Sequence, residues 1–194
     1  MFATTNQGKV KEVKMILKDL GMEVLSLKDL NIQADIVEDG KTFEENAIIK
    51  AKAIAELTDC IVLADDSGLE VDYLNKAPGI MSARYMGEDT SYDIKNQAII
   101  DQLADAKGPE RSARFVCAIA CVMPDGEIFT TRGTIEGKIG YKTEGTEGFG
   151  YDPIFYVPEF GCTTAQLTPE QKNKVSHRGK ALEAMKKILV QKIK

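Results

Sequence analysis

The stretch CIVLADDSG, at residues 60–68, joins a short apolar run to a pair of adjacent acids. A continuous apolar run such as Cys60 to Ala64 is typical of a buried strand. The residues that follow, Asp65 to Gly68, predict an acidic turn, and residues 69–74 return to a strand pattern that Pro78-Gly79 ends. The sequence therefore predicts two strands joined by a turn that carries two carboxylates.

Helices are predicted on the N-terminal side of this stretch. Residues 10–20 place their apolar side chains on one helical face, and Gly21 supplies a stop signal. Thr42, with Glu45 three residues later, has the capping-box spacing and opens an Ala-rich helix that runs to about Leu57. Between these helices, residues 22–27 predict a short strand and residues 30–40 an acidic loop.

The second half of the chain continues the alternation of helices and strands. Residues 91–106 are helical by pattern, and residues 113–123 and 128–134 predict a hairpin around a Pro-Asp-Gly-Glu turn. Glycine-rich loops follow at residues 137–150, a helix start at residues 168–170 and a closing helix at residues 181–193. With no internal repeat and no linker, the sequence predicts one mixed α/β domain over residues 1–194, with a size that also suits two closely packed lobes.

Charge and composition narrow the functional classes. The chain has 25 Lys and Arg against 30 Asp and Glu, a net charge of -5, which is the wrong sign for binding a nucleic-acid backbone. No stretch approaches the roughly 20 apolar residues of a membrane span, and the short segment before Thr4 cannot hold a signal peptide. We therefore expect a cytoplasmic protein without a membrane or nucleic-acid partner. Its four cysteines form no CxxC pair and are expected to be structural.

The first candidate site is the polar segment Thr4-Thr5-Asn6-Gln7-Gly8-Lys9, which lies between a predicted strand and a predicted helix. Backbone N–H groups at a helix start, the helix dipole and the Lys9 ammonium together favour an anion. The segment lacks Walker A spacing, and an ordinary capped helix with a surface lysine is the alternative.

Acidic residues form the second and third candidates. Asp65 and Asp66 repel each other, so they need a cation or strong donors to stay ionised, and Mg²⁺ with its oxygen ligands meets that need. A solvated Asx-type turn is the alternative. Glu38 belongs to an acidic group around the predicted helix start, where the dipole favours acids whatever the function. If Glu38 reaches the same cation as Asp65 or Asp66, the three form a carboxylate set suited to a metal-triphosphate complex.

Two further candidates lie near the C-terminus. The segment GTEGFGYDP, residues 145–153, combines close backbone approach at glycine with two aromatic rings and Asp152, although a tight hairpin loop with buried rings is the alternative. Lys172 and the pair His177-Arg178 supply cations and the only histidine. A lone histidine is more often structural, but a local cationic wall in an acidic protein suits a small polyanion.

Six motifs resemble one enzyme family along nearly the whole chain. They are ATTNQGK (3–9), EDGKTFEENAIIKA (38–51), ADDSGLEVD (64–72), PGIMSARY (78–85), GFGYDPIF (148–155) and SHRGKAL (176–182). Together and in this order they resemble the inosine triphosphate pyrophosphatases, also called non-canonical purine NTP or dITP/XTP pyrophosphatases. The chain has fewer residues before ATTNQGK than is usual in that family, so we expect a short first strand.

The resemblance implies a fold, an activity and partners. It implies an elongated α/β fold in which a long central sheet separates two lobes around a nucleotide cleft, and a homodimer. It implies Mg²⁺-dependent hydrolysis of ITP, dITP and XTP to the monophosphate and pyrophosphate. In the expected mechanism, a metal-associated water attacks the α-phosphorus and pyrophosphate leaves.

The resemblance also implies residue roles. Asp66 serves as proton acceptor and metal ligand, and Glu38 and Asp65 look like further members of the metal shell. The remaining residues are expected to bind substrate: the triphosphate by Thr4, Thr5, Asn6, Gln7, Gly8 and Lys9, with a contact from Ser67; the base by Phe149, Gly150, Tyr151 and Asp152; and base and phosphate by Lys172, His177 and Arg178.

Selectivity and two competing functions follow from the same residues. Donors such as His177 and Arg178 would pair with a purine 6-oxo group and stay unpaired against ATP, at a cost of roughly 1–3 kcal/mol each. A non-catalytic nucleotide sensor would not need the three carboxylates. A metal-dependent phosphatase could use them to release orthophosphate.

Overall fold

The computed structural model describes residues 1–193 and confirms the mixed α/β fold. Within those residues the strands are β1 (Val62–Val71), β2 (Ser112–Val122), β3 (Ile128–Ile139), β4 (Phe155–Val157) and β5 (Cys162–Thr163). The α-helices are α1 (Gln7–Leu17), α2 (Phe43–Ala55), α3 (Tyr92–Gln102), α4 (Pro169–Val175) and α5 (His177–Lys192). None of these helices is long and apolar enough to span a membrane.

The five strands form one sheet in the order β1-β2-β3-β4-β5. The predicted hairpin is confirmed, since the turn between β2 and β3 is closed by the Met123 N–H bonded to the Glu127 carbonyl. Strand β4 pairs antiparallel with the end of β3, where Ile139 lies opposite Phe155, and β5 pairs antiparallel with β4. Neighbours in sequence are thus neighbours in the sheet, as short connections favour.

The acidic turn predicted at residues 65–68 is wrong, because β1 runs without interruption from Val62 to Val71. Successive side chains of a strand point to opposite faces, so the carboxylates of Asp65 and Asp66 point apart. Each then meets its own cationic partners, described below. The chain therefore buries two adjacent acids inside a strand.

Three other predicted boundaries also differ. Residues 22–27 form no strand; only Ser26 makes a bridge, to Phe2, because the partner segment at the N-terminus ends where α1 begins. Strand β3 extends through Gly137 to Ile139, where a loop was expected, because β4 pairs with its end. Helix α5 starts at His177, four residues earlier than predicted.

The chain divides into two compact units, each with its own apolar core. The first unit comprises Met1–Ser67, Cys117–Gly133 and the chain from His177 onwards, and the second comprises Gly68–Val116 and Thr134–Ser176. In the first unit α1 and α5 pack together, with Leu17, Leu182 and Met185 fully buried. The second unit buries the apolar face of α3 against Phe155 and its neighbours. Each core fixes the elements that carry one of the side-chain clusters described below.

A buried arginine closes the end of α3 in the second unit. Arg111 is 2% exposed, and its guanidinium donates to the carbonyls of Leu103 (2.6 Å), Ile139 (2.8 Å) and Gly140 (2.7 Å). The face of the guanidinium also lies 4.2 Å from the centre of the Tyr141 ring. The planar fork thus donates to carbonyls at the end of α3 and at the end of β3, where the Leu103 carbonyl also accepts from the Ala106 N–H.

We predict that Arg111→Met lowers the free energy of unfolding by roughly 3 kcal/mol or more, because the carbonyls of Leu103, Ile139 and Gly140 lose their bonds to the guanidinium. Urea unfolding followed by circular dichroism measures the change. Lys142→Met is the control, since that side chain is 76% exposed and forms an ion pair with Glu144; it should cost at most about 1 kcal/mol. Equal stabilities of the two variants would contradict the role assigned to Arg111.

Candidate active site

The polar segment at residues 4–9 lies beside β1 in the first unit. The N-terminal residues run parallel to β1, with the Ala3 N–H donating to the Leu63 carbonyl at 2.7 Å. Asn6 is the N-cap of α1, and its side chain accepts from the Lys9 N–H at 3.2 Å. Residues 5–7 are exposed. The start of α1 therefore presents its free N–H groups at an accessible position, as an anion requires.

Asp65 is buried among cations. Its carboxylate lies 3.0 Å from Lys9 Nζ and 3.1 Å from Arg178 Nη2, and Ser67 Oγ donates to it at 3.2 Å. Burial alone would raise the pKa of Asp65, but Lys9 and Arg178 hold that pKa well below its ordinary value. Asp65 is therefore a fixed anion whose oxygens are already shared among donors.

Arg178 enters this cluster from the first turn of α5. It is 1% exposed, and besides Asp65 it donates to Glu12 Oε2 and, at 2.9 Å, to Ser67 Oγ. Gly133 of β3 lies directly against this turn, because a Cβ at that position would collide with the His177 carbonyl. The close packing of β3 on α5 thus fixes His177, itself buried, and Arg178.

A buried thiol borders the same carboxylate. Cys117 of β2 is fully buried, with its Sγ 4.0 Å from Asp65 Oδ2. Burial and the Asp65 charge raise the pKa of Cys117 to about 12. All four cysteines are free, which agrees with the structural role predicted for them.

Asp66 faces a different set of groups. Its Oδ1 accepts from Lys50 Nζ at 3.1 Å and its Oδ2 from Asn46 Nδ2 at 3.3 Å, both donors belonging to α2. The same Lys50 ammonium lies 3.1 Å from Glu38 Oε2. The structure therefore brings Glu38 and Asp66 together around one positive charge, while Asp65 lies with Lys9 and Arg178.

The pKa values of the two neighbouring carboxyls, Asp65 and Asp66, are shifted in opposite directions. Burial raises the pKa of Asp66 and Glu38 adds to the rise, although Lys50 opposes it. Asp65 is held ionised, as described above. Two carboxyls whose surroundings separate their pKa values are the pattern of a proton-exchanging group beside a permanent charge. Asp66 is the one of the pair whose pKa is shifted in the direction that favours taking up a proton.

The carboxylates fit Mg²⁺ as a partial shell. This ion is commonly held by one or two carboxylates together with substrate phosphates. Glu38 and Asp66 suit that description because both direct an oxygen at the Lys50 ammonium, whereas the oxygens of Asp65 are occupied by other donors. Within residues 1–193 no three acidic, histidine or cysteine side chains form a ready-made metal site. The metal roles of Glu38, Asp65 and Asp66 stay predictions.

The second unit carries its own polar cluster around Asp152. Its carboxylate accepts from Lys172 Nζ at 2.7 Å, the Phe149 N–H at 2.8 Å and Thr164 Oγ1 at 2.8 Å. Gly148 has φ +79°, and a Cβ there would collide with the Asp152 carboxylate. The predicted glycine-rich segment is therefore folded tightly onto its own acid, and Lys172 from α4 secures it.

The two aromatic rings of this segment have different surroundings. Phe149 is half-buried, with Lys172 Nζ 4.8 Å from its ring centre. Tyr151 is buried: its hydroxyl donates to the Ser82 carbonyl at 2.7 Å, and Tyr92 meets it edge-on at 5.2 Å. Phe149 is thus the ring of the pair that can offer a face to a ligand, with the Gly150 backbone beside it. The Gly150 carbonyl accepts from Asn96 at 3.1 Å.

Sequence reasoning missed several members of these clusters. Asn46 and Lys50 were not selected, although two polar residues four apart on an Ala-rich helix share one face and so point to a common partner. Glu12 gave no signal, because an acid three residues after Lys9 is also an ordinary helix-surface pair. Thr164 lies in a short 3₁₀ segment whose capping box, Thr163 with Gln166, predicts a helix start and not a binding site.

Comparison with known proteins places the chain in a family. It matches the Ham1 family over residues 1–188. A protein named dITP/XTP pyrophosphatase from Clostridium perfringens (strain 13 / Type A) is 48% identical, with 96% of this chain and 94% of that protein covered. The solved Ham1 protein structures of Staphylococcus aureus and Coxiella burnetii have TM-scores of 0.86 and 0.88 at 43% and 41% identity, each covering 98% of this chain and 97% of the other. The chain belongs to the Ham1 family.

We predict that Asp65→Asn lowers the free energy of unfolding by roughly 3–5 kcal/mol at neutral pH, because Arg178 and Lys9 lose a buried counter-charge. A depressed pKa stabilises the fold above the ordinary Asp value of 3.8, and that contribution is lost as the pH falls below it. The difference in free energy of unfolding between wild type and variant should therefore be constant above pH 3.8 and decrease below it.

Urea unfolding across this pH range measures the gap. Asp19→Asn is the matched control, because Asp19 pairs with Lys186 while 81% exposed and should change stability by less than about 1 kcal/mol at any pH. A gap that does not depend on pH would show that Asp65 is not the titrating partner.

Proposed function

We propose that this protein hydrolyses non-canonical purine nucleoside triphosphates, namely ITP, dITP and XTP, to the monophosphate and pyrophosphate, with Mg²⁺ as cofactor. The observation that supports the proposal is that two adjacent carboxyls have different partners. Asp65 is held ionised by Lys9 and Arg178, whereas Asp66 shares Lys50 with Glu38. The names of the curated relatives, dITP/XTP pyrophosphatase, support the choice of substrate.

Phosphate binding belongs to the start of α1 and to Lys9. The exposed residues Thr5, Asn6 and Gln7 precede N–H groups without helical partners, and the helix dipole places partial positive charge there. Lys9 adds a full charge that a phosphate can share with Asp65. These groups stabilise the negative charge that develops on departing pyrophosphate.

Asp66 takes the proton of the attacking water. Its raised pKa brings it nearer to the working pH, which favours general-base catalysis. Lys50 and Asn46 bind its two oxygens and so fix the direction of the carboxylate. Glu38, the other partner of Lys50, supplies a second carboxylate beside Asp66. Mg²⁺, held by Glu38 and Asp66 with the phosphates, would neutralise phosphate charge.

Base recognition is assigned to the Phe149–Asp152 segment of the second unit. The half-buried Phe149 ring offers a stacking face, and the Gly150 backbone has no side chain to hold a planar base away. Lys172 supplies a positive charge over that ring. His177 and Arg178 were assigned to base and phosphate recognition from the family resemblance; their burial supports a role that does not need large side-chain movements.

The proposal includes a cytoplasmic location and a homodimer, as the family resemblance implies. Equilibrium sedimentation of the purified chain measures directly whether it forms a homodimer. A mass of twice 21.3 kDa is expected, and a concentration-independent monomer would contradict it.

We predict that Asp66→Asn lowers kcat for ITP by about 1,000-fold or more, since the carboxamide cannot accept the proton. Binding of a non-hydrolysable α,β-imido ITP analogue should stay within a few-fold of wild type. Asp72→Asn is the matched control: Asp72 follows β1 and pairs with Arg114 and Lys76, outside the cluster. That control should retain wild-type kcat.

The product of ITP turnover decides the reaction class. Coupled assays for pyrophosphate and for orthophosphate, run side by side with ITP, XTP and ATP, should detect pyrophosphate from ITP and XTP and little product from ATP. Omitting Mg²⁺ should abolish hydrolysis. Orthophosphate as the first product, or full activity of Asp66→Asn, would reject the proposed mechanism.

A further inference from the structure

A fully buried asparagine connects the two carboxylate-bearing segments of the first unit. Asn46 lies in the first turns of α2 with no exposed surface. Its Oδ1 accepts the Gly40 N–H at 2.9 Å, and its Nδ2 donates to Asp66 Oδ2 at 3.3 Å. One neutral side chain thus bonds both to the segment that follows Glu38 and to the carboxyl assigned as the base.

Asn46 and Lys50 form a matched pair of donors on α2. They are one helical turn apart and therefore share a face. Lys50 bonds to one oxygen of Asp66 and to Glu38, and Asn46 bonds to the other oxygen of Asp66 and to Gly40. Each oxygen of Asp66 therefore receives one donor from α2, so the plane of the carboxylate is fixed from two points.

The packing around Gly40 shows how closely this arrangement is fitted. A Cβ built on Gly40 would lie 2.6 Å from Asn46 Oδ1 and 2.8 Å from Glu45 Cβ, closer than real Cβ atoms come. The residue 38–40 segment can therefore lie on the first turn of α2 only with glycine at position 40. The Asn46 bond replaces the hydrogen bond that the Gly40 N–H would otherwise make to water.

We infer that Asn46 is a positioning residue for the proposed reaction: its amide holds the Asp66 carboxylate in the orientation for proton transfer and locks the Glu38–Gly40 segment against α2. The inference rests on the proposed function. Asn46 acts through Asp66 and the backbone, so it should affect the rate of the chemical step far more than nucleotide binding. A phosphate would attract the Lys50 ammonium and a cation would displace it from the carboxylates, whereas the neutral Asn46 amide keeps its bond.

Kinetics of three variants test the inference. Asn46→Ala removes both bonds, Asn46→Asp keeps the shape and the acceptor for Gly40 but loses the donor to Asp66, and Gly40→Ala displaces Asn46 without altering it. Each should lower kcat for ITP, by about 100-fold for Asn46→Ala, because small misplacements of a catalytic group have effects of that size. KM and the Kd of α,β-imido ITP, from isothermal titration calorimetry, should change by less than about threefold.

Two controls separate positioning from general damage. Lys52→Ala, on an exposed face of the same helix, should keep wild-type kcat and KM. In an Asp66→Asn background, measured by single turnover with excess enzyme, adding Asn46→Ala should lower the residual rate no further, because residues that act as one unit are not additive. If Asn46→Ala does not fold, the isosteric Asn46→Asp variant decides.

The outcomes distinguish a failure of the positioning role of Asn46 from a failure of the proposed function. Wild-type kcat in Asn46→Asp and Gly40→Ala would overturn the positioning role while leaving pyrophosphate release by the wild type intact. Equal losses in kcat and in analogue binding, or a full further loss in the Asp66→Asn background, would overturn it too. If the wild type releases no pyrophosphate from ITP, the proposed function itself fails, independently of any variant.

Discussion

The ion pair between Asp65 and Arg178 is the interaction on which the first unit depends. Both side chains are almost completely buried, and each would be costly there without the other. The pair joins β1 to the first turn of α5, while Lys9 joins the same carboxylate to α1. Three elements distant in sequence thus converge on one oxygen pair. Because β1 is extended, fixing Asp65 on one face of the strand also fixes Asp66 on the other.

This alternation explains how one short sequence can carry two carboxyls of different character. In a turn, both acids would reach solvent and would titrate alike. In a strand, Asp65 meets Lys9 and Arg178, and Asp66 meets Lys50 and Asn46. The second unit uses a similar principle in a loop: Asp152 accepts a lysine, a hydroxyl and a backbone N–H at once. In both units a buried acid organises the polar groups around it.

Local signals in the sequence predicted the elements whose causes are local. Thr42 is the N-cap predicted for α2 and accepts from the Glu45 N–H at 3.1 Å, but the Glu45 carboxylate accepts from the Lys41 N–H and does not close a capping box. The β2–β3 hairpin followed from its turn residues. The turn at residues 65–68 was wrong because the groups that neutralise Asp65 lie 56 positions earlier and 113 positions later, at Lys9 and Arg178. The motif resemblance named many of the residues in both clusters, but it did not show how they divide among partners. Glu12 can be assigned only from the three-dimensional structure, where it accepts from Arg178 of α5.

The thiol of Cys117 beside Asp65 gives the first unit a built-in chemical reporter. Alkylating reagents attack the thiolate, and the elevated pKa and complete burial of Cys117 protect it in the folded chain. Cys60 is exposed, so its rate of alkylation sets the reference for an accessible thiol. The rate at which Cys117 is alkylated therefore reports how often β2 separates locally from the elements packed against it. Mass spectrometry of alkylated peptides would read local opening at the charged centre without any added label.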